Sequence, residues 1–213
     1  MPIKQDVLAL LKALKKLYPK HIIPLRHKNA WELLCAVILS AQCTDARVNT
    51  ITPHLFKKYP TVYDLAHANI KDVEKIIHSA GFYHSKALSL IEMSKRICEV
   101  YGGEVPQTME DLLTLRGVAR KTANVMLGDY FKKPAGIVVD THVKRLAFRL
   151  GLTKNMDPVK IEQDLTKSIP YEYWGWIAIA LILHGRSVCP ARKPQCEICT
   201  LRKFCPQKGV KIF

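Results

Sequence analysis

Four cysteines, Cys189, Cys196, Cys199 and Cys205, stand close together near the C-terminus in the spacing C-x6-C-x2-C-x5-C. No other feature narrows the possibilities for this 213-residue chain as much. Spread through a secreted domain, cysteines pair as disulfides; gathered in one loop, they offer four soft thiolates to a metal centre. Structural zinc usually takes two C-x2-C knuckles, and only Cys196 and Cys199 form such a pair. The spacing therefore favours an iron–sulfur cubane over zinc. Arg186, Arg192, Lys193, Arg202, Lys203, Lys208 and Lys211 surround the loop, which suits it to face phosphates.

The cationic loop belongs to a cationic chain. Thirty-three Lys and Arg against 18 Asp and Glu give a net charge of +15, a field that attracts nucleic acid or an anionic membrane surface. Apolar residues at 48% and charged residues at 24% exclude a disordered or fibrous chain. The apolar run Ala178–Leu183 falls far short of the roughly 20 residues needed to span a bilayer, and lysines are threaded through the N-terminal segment MPIKQDVLALLKALKK. A prokaryotic cytoplasmic protein is expected, with no membrane partner.

Helix signals recur along the whole length. Leu8, Leu11, Leu14, Leu17 and Tyr18 form one face of an opening amphipathic helix between Lys4 and Pro19. Asn29 precedes the apolar stretch Trp31–Leu39, and Glu32 stands at the spacing of a reciprocal cap. Further starts fall at Thr44 or Asp45, Thr61 with Asp64, Asn69 with Asp72, Ser85, and Thr108 with Asp111; stops fall at Pro60, Gly81 and Gly102–Gly103. Asp140 is placed to cap a helix over 141–150, Asp157–Pro158 opens another, and 171–184 reads as the last long one. Ile137–Val139 is the only plausible strand. The fold class expected is all-α.

Within this series, LLTLRGVARKTANVML (112–127) reads as a helix end, a glycine-bearing hairpin and a new helix. Gly117 suits a positive φ or a close backbone approach, and a first helical turn carrying Arg120 and Lys121 exposes amides that can hold a phosphate. An ordinary turn between packed helices fits that segment about as well. Lys121 stands in that first turn, and its amine is a nucleophile when neutral. Asp140, in GIVVDTHVKR, is the carboxylate that could assist, although a plain N-cap explains it equally.

Taken together, LRGVARKTANVML, IVVDTHVKR, LHGRSVCPARKPQC and the four-cysteine loop resemble the endonuclease III family of base-excision repair. LSAQCTDARVN and GFYHSKA extend the likeness over nearly the whole chain. The resemblance implies a two-domain helix-hairpin-helix DNA glycosylase fold: a six-helix barrel over 25–134, with the hairpin motif at about 108–127. A discontinuous domain of 1–24 plus 135–213 would bear a [4Fe-4S] cluster on Cys189, Cys196, Cys199 and Cys205. It implies Lys121 as nucleophile and Asp140 as its partner across a cleft. It further implies DNA contacts from Gln42 and Phe82, which fill the gap left by a flipped base, and from Gly117, Ala119 and Arg120. Asp45 and His142 match family residues near the cleft without an assigned role. The expected activity is removal of oxidised pyrimidines from duplex DNA with AP lyase β-elimination through a lysine Schiff base, by a monomer.

One departure stands out: the family commonly carries a second glycine where this chain has Ala119, a costly exchange if that position needs positive φ. Among relatives, the adenine glycosylase and thymine-mismatch branches differ at the lysine, and oxoguanine glycosylases usually lack the cluster. A glycosylase of different lesion specificity, a non-catalytic DNA-binding module that uses hairpin and loop for phosphates alone, and an electron-transfer protein are the alternatives.

Overall fold

The computed structural model describes residues 4–20 and 23–210, with side chains from Val7 onward. Every regular element among them is helical. Eleven α-helices follow in order: α1 (Lys4–Leu17), α2 (Ala30–Ser40), α3 (Asp45–Lys58), α4 (Val62–Ala66), α5 (Ile70–Ile77), α6 (Tyr83–Tyr101), α7 (Met109–Leu113), α8 (Arg120–Val125), α9 (Thr141–Arg149), α10 (Pro158–Ser168) and α11 (Trp174–Ser187). No described helix is long and apolar enough to cross a membrane.

Side-chain caps account for most helix starts. Asn29, Thr44, Thr61, Asn69, Thr108, Asp140 and Asp157 each accept a bond from an amide in the first turn they precede. Thr61 and Asp64 form a full capping box. At α2 the reciprocal bond slips by one residue, because Glu32 Oε2 accepts from Lys28 N at 2.7 Å instead of from Asn29. Two further expectations are corrected, and one feature is new. α6 begins at Tyr83 rather than Ser85, since Phe82 turns the chain in the left-handed region and supplies no side-chain cap. Ile137–Val139 is not a strand: Ile137 is buried and no neighbouring extended segment pairs with it among the described residues. Met126–Tyr130 continues α8 as a π-turn, a widening that apolar periodicity does not encode.

The chain divides into two compact units, each with its own core. One is Ile23–Phe131; the other joins α1 to the chain from Lys132 onward. In the first, α2 lies almost wholly inside, with Leu33, Leu34, Cys35 and Leu39 sealed among Leu55, Leu65, Ile77, Leu90, Met93 and Ile97. In the second, Leu10, Leu11 and Leu14 of α1 pack with Val143, Leu146, Ile161, Leu165, Ile177 and Leu181. There the indole of Trp176 donates to Tyr18 O at 2.8 Å, and Lys15 Nζ lies 4.6 Å from its ring centre.

Candidate active site and cysteine pocket

Between α7 and α8 the chain makes a tight hairpin that is fixed from below and bare on top. Leu115 and Val118 are buried, whereas Arg116, Gly117, Ala119, Arg120 and Lys121 are exposed. Gly117 satisfies both conditions its sequence suggested: φ is +81°, and a Cβ added there would stand 2.8 Å from Ser89 Cβ. The strain anticipated at Ala119 does not arise, because its backbone is extended at φ −94°, ψ 170°, which any L-residue adopts. Ala119 is the N-cap of α8 and its methyl group caps nothing. The first turn, which carries Lys121, thus receives no side-chain oxygen from its N-cap residue.

In the same unit Gln42 follows α2 and Phe82 precedes α6. Both are exposed, Phe82 at 68%, and both hold positive φ, 55° and 48°. Non-glycine residues rarely occupy that region without a compensating reason, and a large apolar ring left in solvent is a second irregularity at the same position. Asp45 opens α3 two residues beyond Cys43.

In the other unit, half-buried Asp140 caps α9, its Oδ1 accepting from Val143 N at 2.8 Å. The bond spends one carboxylate oxygen on the helix. His142 follows in the first turn, its Nδ1 3.1 Å from Arg145 Nη2. Burial, and then the cations Arg145 and Arg186, pull the imidazole below its ordinary pKa against the opposing pull of Asp140.

Cys189, Cys196, Cys199 and Cys205 line one pocket, partly open to solvent, together with Leu146, Leu150 and Leu201. Among the described residues no carboxylate lines it. Burial pushes the thiols of Cys199 and Cys205 up, so a ligand that takes them as thiolates must displace protons. The sulfurs already have polar neighbours: Arg149 Nη1 donates to Cys189 Sγ at 3.1 Å, and His184 Nε2 lies 3.5 Å from Cys199 Sγ. Among the described residues no three His, Cys, Asp or Glu side chains converge tightly enough for a single ion. Soft donors, an apolar wall and N–H groups on sulfur all fit a sulfur-ligated cluster.

Two residues of this pocket escaped the sequence reading. Buried Arg149 also donates to Pro190 O at 2.8 Å and Ala191 O at 2.9 Å, and so latches the cysteine loop to α9. His184 accepts or donates at 3.0 Å with Tyr18 Oη, which ties α11 to the end of α1. The available signal was a charged or imidazole side chain at an apolar helical position in VKRLAFRL and IALILHG.

Comparison with known proteins places this arrangement. Residues 35–171 match the HhH-GPD superfamily of base excision DNA repair proteins. The chain is 52% identical over 203 residues to endonuclease III of Synechocystis sp., covering 95% of this chain and 93% of that protein. It is 43% identical over 190 residues to the Bacillus subtilis enzyme, covering 89% and 86%. Two solved structures, a non-covalent endonuclease III–DNA complex and a trapped endonuclease III–DNA covalent intermediate, each match at TM-score 0.89 and 40% identity over 97% of both chains. A thermostable thymine-DNA glycosylase, at 21% identity and TM-score 0.82, shares the fold. Identity sustained over nearly the full length, in a helical fold with an exposed lysine behind a glycine hairpin and four cysteines round one pocket, has one reading: the chain belongs to the endonuclease III family of helix-hairpin-helix base excision DNA repair proteins.

Proposed function

We propose that this chain is a DNA glycosylase of base-excision repair that removes oxidised pyrimidines from duplex DNA and nicks the resulting abasic strand by β-elimination. One observation carries the reading: at 40% identity over 97% of both chains, it matches a protein trapped in a covalent intermediate with DNA. A covalent intermediate demands a nucleophile, and Lys121, exposed in the first turn of α8, is the side chain of that kind in the hairpin.

A base inside the stack hides its sugar, so the duplex bends and the damaged nucleotide flips out. Gln42 hydrogen-bonds the orphaned base and Phe82 holds the vacated step open. The hairpin amides and Arg120 hold a phosphate close by, with Gly117 and Ala119 letting the backbone approach. Lys121 Nζ attacks C1′ and the glycosidic bond breaks with its electron pair leaving on the base; the resulting amine loses a proton, and its lone pair then opens the sugar by breaking the C1′–O4′ bond, O4′ taking up a proton, to give the protonated imine. The imine acidifies C2′; removal of a proton there expels the 3′ phosphate. Asp140 assists deprotonation of Lys121 and stabilises positive charge on the sugar. Cys189, Cys196, Cys199 and Cys205 hold a [4Fe-4S] cluster, which when bound crosslinks the basic loop into a fixed shape. No bond-making step passes through it. The protein acts as a monomer on nucleoid DNA in a prokaryotic cytoplasm.

Borohydride trapping on a duplex with one oxidised pyrimidine tests the assignment. The intact protein is expected to give a covalent adduct and a nick, both absent in Lys121→Ala. A nick that persists in the variant, or none from intact protein that still binds DNA, overturns it.

A further inference from the structure

Lys86 is 6% exposed, a rare position for an ammonium group, and the catalytic assignment makes no use of it. Its stem rises from the first turn of α6, where Lys86 N donates to Phe82 O at 3.1 Å. Its Nζ donates at 2.8 Å to Leu39 O and at 2.8 Å to Ala80 O. Leu39 O lies in the last turn of α2, and Ala80 O closes a 3-10 turn, His78–Ala80, that follows α5; at such ends no later turn supplies an amide. Burial lowers the pKa of this amine, against a smaller opposing pull from the Cys43 thiol. A methionine or leucine at this site avoids the desolvation altogether, so the charge is held for what the two bonds do.

Both bonds lead to the same place. Leu39 lies three residues before Gln42, and Ala80 two residues before Phe82. These are the two exposed residues of positive φ in that unit assigned to the gap in the duplex. One ammonium group thus ties together the two backbone segments that present them, across 47 positions of sequence on one side and six on the other. We propose that Lys86 is a positioning residue for damaged-site recognition, clamping the Gln42 turn and the Phe82 turn at the separation that lets both enter one vacated base step. Resting on the roles given to Gln42 and Phe82 above, it adds the device that makes two separate turns act as one. A duplex pushing back on either turn meets a fixed partner instead of a loose loop, and the strained φ values persist because the surroundings hold them.

The test is a mutational cycle read by binding. Lys86→Met keeps the stem and volume while removing both donors, with Lys86→Leu standing in should the methionine variant fail to fold; Lys86→Arg keeps two donors and serves as the conservative rescue. Affinity is measured for undamaged duplex and for duplex carrying one tetrahydrofuran abasic analogue opposite each of the four bases. A 2-aminopurine opposite the analogue reports contact with the orphaned base by its fluorescence. Lys86→Met is expected to bind undamaged duplex as the parent does, to lose about tenfold at the abasic duplex, and to lose the parent's fluorescence change, with Lys86→Arg recovering part of both. Added to Gln42→Ala with Phe82→Ala, it is expected to cost nothing further, since the turns it holds no longer carry their side chains. Should that pair of alanines weaken abasic binding while Lys86→Met and Lys86→Arg leave it intact, or should Lys86→Met add its full loss on top, the clamp is refuted and the roles of Gln42 and Phe82 stand. Should the alanines themselves leave abasic binding unchanged, the recognition roles fall, and the clamp with them. A lowered melting temperature with parental abasic binding and fluorescence marks Lys86 as structural alone.

Discussion

At Gly117 the chain turns through φ +81° beneath an exposed hairpin, and a methyl group there would meet Ser89 at 2.8 Å. Left-handed strain and the clash act together, so Gly117→Ala is expected to destabilise by about 1–3 kcal/mol in urea denaturation. It is also expected to weaken duplex binding by tilting the amides behind the turn. Two residues on, the rules differ. Ala119 is extended and its methyl group offers the amides of α8 no acceptor. Ala119→Asp supplies that acceptor and adds an anion at the helix start, for a gain of about 1 kcal/mol. If the hairpin amides hold a DNA phosphate as proposed, the same carboxylate competes for that place, and this more stable variant is expected to bind duplex more weakly. Equal or tighter binding by Ala119→Asp would mean that the hairpin does not contact phosphate. The demand at Gly117 was legible in the sequence, since only a few backbone situations require glycine. That Ala119 is unstrained was not, because its φ depends on where the hairpin hands over to the helix.

Helices carry the next level, and Asp140 serves one of them as well as the reaction assigned to it. Its Oδ1 caps α9 at 2.8 Å, a bond that an asparagine also makes. Asp140→Asn is expected to melt within a degree or two of the parent while losing glycosylase activity; Asp140→Ala is expected to lose both activity and about 1 kcal/mol. If Asp140→Asn keeps full activity, the residue is a cap and nothing more. A second carboxylate at this scale is Asp164 on α10, whose Oδ2 accepts from Thr153 Oγ1 and from Asn155 Nδ2, the latter at 2.7 Å. The bond from Thr153, and then that from Asn155, hold its pKa below the usual aspartate value. A depressed carboxylate stabilises the fold above its unfolded pKa and loses that contribution as pH falls through the folded value. Acid titration is therefore expected to loosen the 153–155 turn below the ordinary aspartate range, and Asp164→Asn to flatten that part of the stability profile. Local devices of this kind were readable from spacing alone: the caps at Asn29, Thr61, Thr108, Asp140 and Asp157 stand where their sequence signals put them. What spacing could not show was anything set by a distant neighbour. Lys86 on two helix-end carbonyls, Arg149 on Cys189, and the π-turn after Val125 all depend on tertiary contacts, with which no local pattern is in register.

For the molecule as a whole, net charge is the property that the sequence stated most directly, and it constrains binding before any lesion is met. The +15 excess includes exposed cations at the hairpin, Arg116, Arg120 and Lys121, and others in the cysteine loop, Arg192, Lys193 and Arg202. The loop is also the part that family resemblance, rather than periodicity, made interpretable, because four cysteines specify a metal without specifying its purpose. If the cluster fixes the loop's shape, its cations meet the duplex as one preformed surface, and each phosphate they neutralise releases counterions. Affinity for undamaged DNA is then expected to fall linearly in log–log form with salt, with a slope of about −0.9 for each phosphate contacted. Five or more contacts give a loss of about 500-fold or more between 50 and 200 mM salt. Cys199→Ala removes one thiolate from the pocket without altering a single cation. It is expected to bleach the visible absorption of the cluster, lower the melting temperature, and reduce the salt slope by the number of contacts the loop supplies. A variant that loses the absorption but keeps the parental slope would assign phosphate binding to the hairpin alone and leave the cluster a purely internal brace.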